Sequence, residues 1–223
     1  MLISIDTETT GLDFKTDDVI EFAAVICDGD KIDMTREFIR SDKQSSEQAL
    51  AKHHLTPEVL KTKTSKTQKD GLVVVLGFLC SFNQELFVGM NIPFDMTMLV
   101  QNMSRHLHLD PKLFRDFKCF DVLVIDKAIR KAYGERRNLA TLSSVYETAT
   151  KPDHSALNDA KCTLEIAVKQ IAALDEMAGK KHTAKELASL CYEYALEQNE
   201  SLNEWLESKG EEKRKFGFPI VQV

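Results

Sequence analysis

Ser4-Ile5-Asp6-Thr7-Glu8-Thr9-Thr10-Gly11-Leu12 joins a short apolar run to two acids and a glycine near the start of a 223-residue chain. If residues 2–6 form a strand, Asp6 and Glu8 point to the same side at its end, because side chains alternate along a strand. Two adjacent carboxylates repel each other, and a divalent cation relieves that repulsion. A strand end with solvated acids in a Thr/Gly turn explains the same pattern, so this segment alone leaves a metal site and a plain turn open.

Two further strands are predicted after the acidic segment. Residues 19–27 are apolar and partly β-branched and are followed by Asp28-Gly29, which predicts a second strand and a tight hairpin. Apolar residues recur among polar ones from Ile32 to Ile39, which predicts a third strand and an antiparallel meander. Glu21 could face the acidic pair, but we favour a solvated acid at a strand edge.

The rest of the chain alternates predicted helices with two short strands. Capping residues predict helix starts near Ser45 and Thr56, and the apolar run at 72–80 fits a buried strand or a buried helix, of which we favour the helix. The remaining predictions are strands at 86–89 and 117–120 and helices at 94–107, 122–133 (stopped by Gly134), 139–146 and 155–177. This order predicts an α/β fold, with a mixed five-stranded sheet and helices on both of its faces.

A change in composition at residues 179–182 divides the chain. We expect a first domain at 1–178 and a C-terminal helical extension at 179–223, with charged helices at 184–198 and 201–207. The extension ends in an apolar tail, residues 216–223, which either packs back on the domain or binds a partner. We favour packing back.

The composition is that of an ordinary globular protein, and 43% hydrophobic residues are enough to bury a sizeable core. No apolar run approaches the roughly 20 residues that cross a bilayer, and the N-terminus lacks the pattern of a signal peptide, so we expect a cytoplasmic protein without a membrane partner. The five cysteines are scattered and form no Cys-x-x-Cys pair, which indicates free thiols and disfavours a zinc site.

The net charge of −6 argues against a protein that coats long stretches of nucleic acid. It does not exclude an enzyme that holds only a chain end. Three basic clusters could contact phosphates, although each is more readily explained as a solvated helix face. They are Lys61/Lys63/Lys66/Lys69, Lys127/Arg130/Lys131 and Arg136/Arg137.

Two later segments carry acids at predicted helix starts. In Gly89-Met90-Asn91-Ile92-Pro93-Phe94-Asp95, a strand end is followed by Asp95 in the first turn of a helix, where an acid also simply complements the helix dipole. In His154-Ser155-Ala156-Leu157-Asn158-Asp159-Ala160, His154 precedes a helix and Asp159 lies about one turn inside it. The two side chains can flank one substrate, but a capping or surface histidine is also compatible with the segment.

Together, the three segments resemble the three exonuclease motifs of the DEDDh family, the DnaQ-like 3′–5′ exonucleases that include polymerase proofreading subunits. The first motif, Asp-x-Glu-Thr-Thr-Gly, is present unchanged at residues 6–11, the second, Asn-x-x-Phe-Asp, at 91–95, and the third, His-x-Ala-x-x-Asp-Ala, at 154–160. The resemblance extends from Asp6 to about Leu174. Many members carry His before the Asn of the second motif, where this chain has Met90, and the chain beyond residue 180 resembles nothing that we can place.

The resemblance implies a ribonuclease H-like fold and a site for two divalent ions, Mg²⁺ or Mn²⁺. In such a site Asp6 would bridge the two ions, Glu8 and Asp159 would bind one of them, and Asp95 would bind the other. His154 would act as the general base.

The resemblance also implies a seat for the 3′ end of a strand. Backbone N–H groups of the Gly11-Leu12 turn would hold the terminal hydroxyl, and Leu12 would lie against the base. Such contacts carry little sequence information, so we expect trimming of single-stranded or frayed 3′ ends of DNA. The residues of this seat would be Thr7, Thr9, Gly11, Leu12, Asn91 and Phe94.

Two other functions are compatible with the same sequence. The site could trim or degrade RNA, since nothing in the sequence reveals dependence on a 2′-hydroxyl group. A nuclease-like domain without activity could instead serve as an adaptor through its C-terminal helices. A polymerase or another protein could bind the extension, and the sequence does not distinguish a proofreading subunit from a free-standing enzyme.

Overall fold

A five-stranded sheet forms the centre of the protein in the computed structural model, which describes residues 1–130 and 136–221. The strands are β1 (Leu2–Thr9), β2 (Val19–Asp28), β3 (Lys31–Phe38), β4 (Leu86–Gly89) and β5 (Lys118–Asp121). The first three form the predicted antiparallel meander, while β4 pairs parallel with β1 and β5 parallel with β4. The order β3-β2-β1-β4-β5 makes the sheet mixed and places β1, with the acidic pair, at its centre.

The helices begin where the sequence provides capping side chains. Ser46, Thr56 and Thr67 each accept a hydrogen bond from a backbone N–H in the first turn of the helix that follows. The apolar run at 72–80 lies inside the third helix, so its helical interpretation is confirmed. The helices are α1 (Glu47–His53), α2 (Pro57–Lys63), α3 (Gln68–Ser81), α4 (Ile92–Leu107), α5 (Val122–Ile129), α6 (Leu139–Val145), α7 (Ala156–Ala178) and α8 (Ala184–Ser208), with a 3₁₀ turn at Pro111–Phe114.

Helices cover both faces of the sheet. On one face Phe22 and Phe87 pack with α3 and α4, and on the other Val88 and Phe120 pack with α5, α7 and α8. Ile5 belongs to the first of these clusters. Because side chains alternate along β1, Asp6 and Glu8 project to the opposite side, where α7 packs against β1 and β2.

The C-terminal region differs from the prediction in one respect. A single helix, α8, replaces the two that were predicted at 184–198 and 201–207. Residues 199 and 200 are Asn and Glu, and neither interrupts helical hydrogen bonding as proline or glycine would. The helix packs against the domain, since Leu187 and Cys191 are buried and Gln198 Nε2 donates a hydrogen bond to the carbonyl of Val124 (2.9 Å).

The described part of the apolar tail, residues 216–221, packs back on the domain, as predicted. Phe218 and Ile220 lie against the core cluster of α3 and α4, and the backbone N–H of Val221 donates to Oγ1 of Thr97 (2.9 Å). The helix predicted at 122–133 ends earlier than expected, at Ile129, because Arg130 has an extended backbone. Residues 133 and 134 themselves lie outside the described residues. None of the helices in the described part of the chain is long and apolar enough to cross a membrane.

Each of the three basic clusters contributes a residue to an internal ion pair. Lys66 Nζ contacts the carboxylate of Glu37 (2.8 Å), and both Arg130 and Arg137 contact the buried carboxylate of Asp126 (2.9 and 2.7 Å). Lys131 lies outside the described residues. These contacts favour a structural role over a phosphate track.

Candidate active site

Asp6 and Glu8 project from the end of β1 into a cleft of about 550 Å³ that is also bordered by α1, α4 and α7. The pairing of β1 with β2 shifts register between Glu8 and Thr9. Such an irregularity ends the regular ladder and re-aims the residues that follow it. The Thr/Gly/Leu continuation of the segment therefore turns along the wall of the cleft, where Leu12 remains 75% exposed.

Glu21 lies directly opposite Glu8 and is 1% exposed, so the prediction of a solvated acid at a strand edge is wrong. Its carboxylate accepts hydrogen bonds from Arg36 Nε (2.8 Å) and from the backbone N–H of Ala156 at the start of α7. Burial raises the pKa of Glu21 in spite of these partners, and the charge of Glu21 in turn raises the pKa of Glu8. Glu21 is therefore a further acid of this site.

Asp95 lies in the first turn of α4, behind the floor of the cleft. It is 4% exposed, and its Oδ1 accepts hydrogen bonds from the backbone N–H (2.9 Å) and the hydroxyl (2.7 Å) of Thr7. These bonds fix the start of α4 against β1. Thr7, predicted to contact substrate, thus also positions Asp95.

Asn91 shapes the turn that precedes α4. Its backbone is left-handed (φ 60°), and the backbone N–H groups of Asn91 and Ile92 donate to the buried carboxylate of Asp121 (3.1 Å each). The side chain of Asn91 is exposed and does not line the cleft. The structure therefore gives Asn91 a backbone role in placing Asp95.

His154 and Asp159 enter the site from the start of α7. His154 adopts a left-handed backbone (φ 61°) just before the helix, and its side chain lines the cleft. Asp159 accepts hydrogen bonds from the backbone N–H of Asp153 (3.1 Å) and from that of His154. The loop is thereby folded over Asp159, so the histidine and the acid face the same cleft from one element.

The carboxyl groups of the site disfavour one another as anions. Burial, followed by the charges of Asp95, Glu8 and Asp159, raises the pKa of Asp6 well above its ordinary value. Burial and the charge of Glu21 raise the pKa of Glu8 to about 8, and burial raises the pKa of Asp95 to about 7 and also raises that of Asp159. A positive charge placed among these groups would be strongly stabilised.

This donor set fits a hard divalent cation, because such ions prefer carboxylate oxygens. Among the described residues, no three His, Cys, Asp or Glu side chains converge as a preformed metal cluster. The four carboxylates interact electrostatically without meeting at one point, and a cation that bound them would have to draw them closer.

The cleft brings together most of the predicted site residues. Asp6, Glu8, His154 and Asp159 line it, as do Thr7, Thr9, Gly11, Leu12 and Phe94. Asn91 and Asp95 do not line it.

The opposite wall of the cleft was not predicted. It is formed by α1 and includes Lys52 and His53. His53 Nδ1 accepts a hydrogen bond from the backbone N–H of Leu55 (2.9 Å), so Nε2 carries the proton and donates to the carbonyl of Thr9 (3.3 Å). The sequence shows the capped start of α1 but not the place where this short helix docks, and no local signal reveals the wall.

The family of the chain follows from a match to the exonuclease family model RNase_T over residues 3–167. The match covers more than half of the chain and includes all three acidic segments. The chain therefore belongs to this family, the DnaQ-like exonucleases of DEDD type, as the three motifs predicted.

Among curated relatives, the chain is similar to DNA polymerase III PolC-type proteins. It is 28% identical to that of Staphylococcus haemolyticus (strain JCSC1435) over 181 residues, 81% of this chain. It is 30% identical to that of Lacticaseibacillus paracasei (strain ATCC 334 / BCRC 17002 / CCUG 31169 / CIP 107868 / KCTC 3260 / NRRL B-441) over 191 residues, 84% of this chain. The chain spans only 12% of the length of either relative.

Solved nuclease structures share the fold. Exonuclease X in complex with 5′ overhanging duplex DNA superposes with a TM-score of 0.60 at 23% identity, over 86% of this chain and 99% of that chain. E. coli Exonuclease I in complex with a dA16 oligonucleotide gives a TM-score of 0.62 at 18% identity, over 78% of this chain and 40% of that chain. The predicted ribonuclease H-like fold is confirmed.

Proposed function

We propose that this protein is a metal-dependent 3′–5′ exonuclease that hydrolyses phosphodiester bonds from the 3′ end of DNA and releases nucleoside 5′-monophosphates. One observation carries the proposal: Asp6 and Glu8 line an open cleft, and the pKa of each is raised by burial and by the charges of Asp95 and Asp159. A site built of mutually repelling acids suits cations and a polyanionic substrate held through them.

Asp6, Glu8, Asp95 and Asp159 would hold two divalent ions, Mg²⁺ or Mn²⁺. When bound, such ions neutralise the charge on the scissile phosphate and make water a stronger nucleophile. Asp6 is central to the set, because its pKa responds to the other three acids. Thr7 contributes indirectly, since its two hydrogen bonds keep the Asp95 carboxylate turned toward β1.

His154 would accept the proton of the attacking water. Its imidazole faces the cleft from the loop that also encloses Asp159, and imidazole is well suited to proton transfer near neutral pH. Asp159 accepts hydrogen bonds from the backbone of this loop and so holds the His154 ring close to the acids.

The 3′ end would lie along the Thr9-to-Leu12 wall of the cleft. Leu12, largely exposed, would pack against the terminal base, and Phe94 would support the sugar from α4. Apolar contacts of this kind accept any base and require an unpaired end, so single-stranded or frayed ends are the expected substrates.

DNA is the proposed substrate because the chain is similar to proteins whose names refer to DNA. The relatives are named as DNA polymerases, and the related nuclease structures are complexes with a DNA oligonucleotide or an overhanging DNA duplex. By the same reasoning, we propose a polymerase as one partner that residues 179–223 could contact.

Asp6→Ala tests the assignment of the site. The variant should keep the fold and lose Mg²⁺-dependent release of mononucleotides from single-stranded DNA, because it removes the acid whose pKa the other three raise. Release at the wild-type rate would show that the chemistry lies elsewhere. Faster release from RNA of the same sequence would assign the site to RNA, and no release by the wild type from either would favour an adaptor.

A further inference from the structure

Lys52 is the one Lys or Arg among the described residues that line the cleft. It lies in the last turn of α1, on the wall opposite α7, and its side chain is exposed. Its positive charge lowers the pKa of Glu8, which places its ammonium group within electrostatic reach of the acids. The cleft therefore presents a cation above an acidic floor.

Within the part of the chain that the structure describes, no hydrogen bond or salt bridge engages the ammonium group of Lys52. Three other lysines, by contrast, are paired: Lys43 with Asp17 (2.6 Å), Lys61 with Asp42 (3.8 Å) and Lys66 with Glu37 (2.8 Å). A lysine without an internal partner is available to a ligand, and its flexible stem suits a phosphate.

The wall that carries Lys52, helix α1, is hydrogen-bonded to the end of β1. The backbone N–H of Ser46 donates to the carbonyl of Thr10 (2.7 Å), and His53 Nε2 donates to the carbonyl of Thr9 (3.3 Å). The two contacts flank α1, one at each end. Lys52 is therefore held at a fixed place beside the proposed seat of the 3′ end, although its side chain is free.

We propose that Lys52 binds the phosphate that adjoins the scissile one on the substrate strand, which makes it a substrate-positioning residue. This inference rests on the proposed function. The scissile phosphate would be neutralised by cations on the carboxylates, but the next phosphate would pass an acidic surface with no cation of its own. A lysine on the facing wall offsets that repulsion.

Lys52→Met tests the contact with a fluorescent single-stranded DNA, in chelator for equilibrium binding and in Mg²⁺ for turnover. Binding should weaken about fivefold, as expected for one exposed charge contact, with KM raised and kcat nearly unchanged. The slope of log affinity against log salt should decrease by about 0.7, the value for one phosphate on a single strand. Lys185→Met, which removes an exposed lysine of α8 outside the cleft, should match the wild type.

Methylphosphonate substitution identifies the phosphate. Removing the charge of the linkage next to the scissile one should weaken binding by the wild type but not by Lys52→Met, while the same change several linkages away should affect both proteins equally. Equal sensitivity of both proteins at the adjacent linkage would overturn the proposal, as would an unchanged salt slope. A wild type that binds DNA but releases no nucleotide would refute the proposed function and leave this binding test valid.

Discussion

Asp6 and Glu8 occupy positions where a carboxylate is poorly stabilised as an anion, so a bound cation would be strongly stabilised there. Burial and the neighbouring acids raise the pKa of both. The native protein without cations therefore retains protons that the unfolded chain has already released. This difference links the chemistry of the site to stability.

The free energy of unfolding in chelator should fall as the pH rises. Folding raises the pKa of Glu8 from 4.5 to about 8, so the native state binds this proton more tightly and stability decreases across that window. Asp95, whose pKa rises from 3.8 to about 7, acts in the same direction. Asp175, with a pKa lowered to about 2, affects stability only at lower pH.

Denaturant unfolding at about pH 6 and about pH 8 checks the direction of this change in the free energy of unfolding. The protein in chelator should be less stable at the higher pH, Glu8→Gln should flatten part of the change, and Mg²⁺ should stabilise more at the higher pH. Wild-type protein that is more stable at the higher pH in chelator would contradict the coupling of these acids.

His154 should affect turnover far more than binding. His154→Asn is the informative variant, because asparagine tolerates the left-handed backbone at this position but cannot act as the base. We expect kcat to fall by about 100-fold or more, with KM within a few-fold of the wild type. Equal losses in kcat and in affinity for the 3′ end would indicate a structural histidine.

The residues proposed to carry the chemistry could be named from the sequence because each lies in a short local motif. Glu21 could not, because its place opposite Glu8 depends on strand register and its burial depends on α7. Lys52 and His53 could not either, since only the docking of α1 against β1 brings them to the cleft.

At the scale of elements, the joint between β1 and α4 decides where Asp95 lies. Two hydrogen bonds from Thr7 to Asp95 hold this joint, and two from the turn before α4 to Asp121 hold the start of α4 against β5. All four involve a buried carboxylate, for which an unpaired oxygen is costly. The joint should therefore respond sharply to the loss of a single donor.

Thr7→Val removes the hydroxyl donor to Asp95 while preserving side-chain shape. We expect a loss of about 1–3 kcal/mol in the free energy of unfolding at neutral pH, together with lower nuclease activity, because the pKa of Asp95 would rise further. Thr7→Ser keeps the donor and should remain close to the wild type in both measurements. Val and Ser variants of equal stability and activity would show that the hydroxyl does not position Asp95.

Most helices and strands could be predicted from local sequence patterns. Capping residues and apolar spacing placed α1 to α4 and the meander, because those signals act within one or two turns or strands. The continuity of α8 was missed because a polar segment at 198–201 resembles a loop when its packing partner is unknown. Contact with α5, which the local pattern does not reveal, stabilises the helix through this segment.

At the scale of the whole molecule, α8 belongs to the same core as the nuclease fold. Leu187 and Cys191 are buried in a cluster with Phe120, Ile125 and Leu174. We propose that residues 1–178 carry the chemistry and that residues 179–223 stabilise the half of the sheet formed by β4 and β5. The proposed partner would then contact the outer face of α8.

Two truncations separate these contributions. A chain that ends at residue 178 uncovers the side chains beneath Leu187 and Cys191, and burying each such group contributes about 1.5–3 kcal/mol of a total near 5–15 kcal/mol. We expect it to lose cooperative thermal unfolding. A chain that ends at residue 215 keeps α8, removes the tail and should unfold cooperatively at a modestly lower Tm. A chain ending at residue 178 that is as stable as the full one would make α8 dispensable for the fold.

The acids of β1, α4 and α7 are proposed to form a metal-dependent site that removes nucleotides from 3′ ends. A time course with one single-stranded DNA, labelled at its 3′ end in one sample and at its 5′ end in another, separates the polarity and the metal dependence of the reaction when run with Mg²⁺ and with chelator. We expect immediate release of the 3′ label as a mononucleotide and a descending ladder of 5′-labelled strands, both only with Mg²⁺. Release of the 5′ label first, or equal release of nucleotides in chelator, would contradict the proposal.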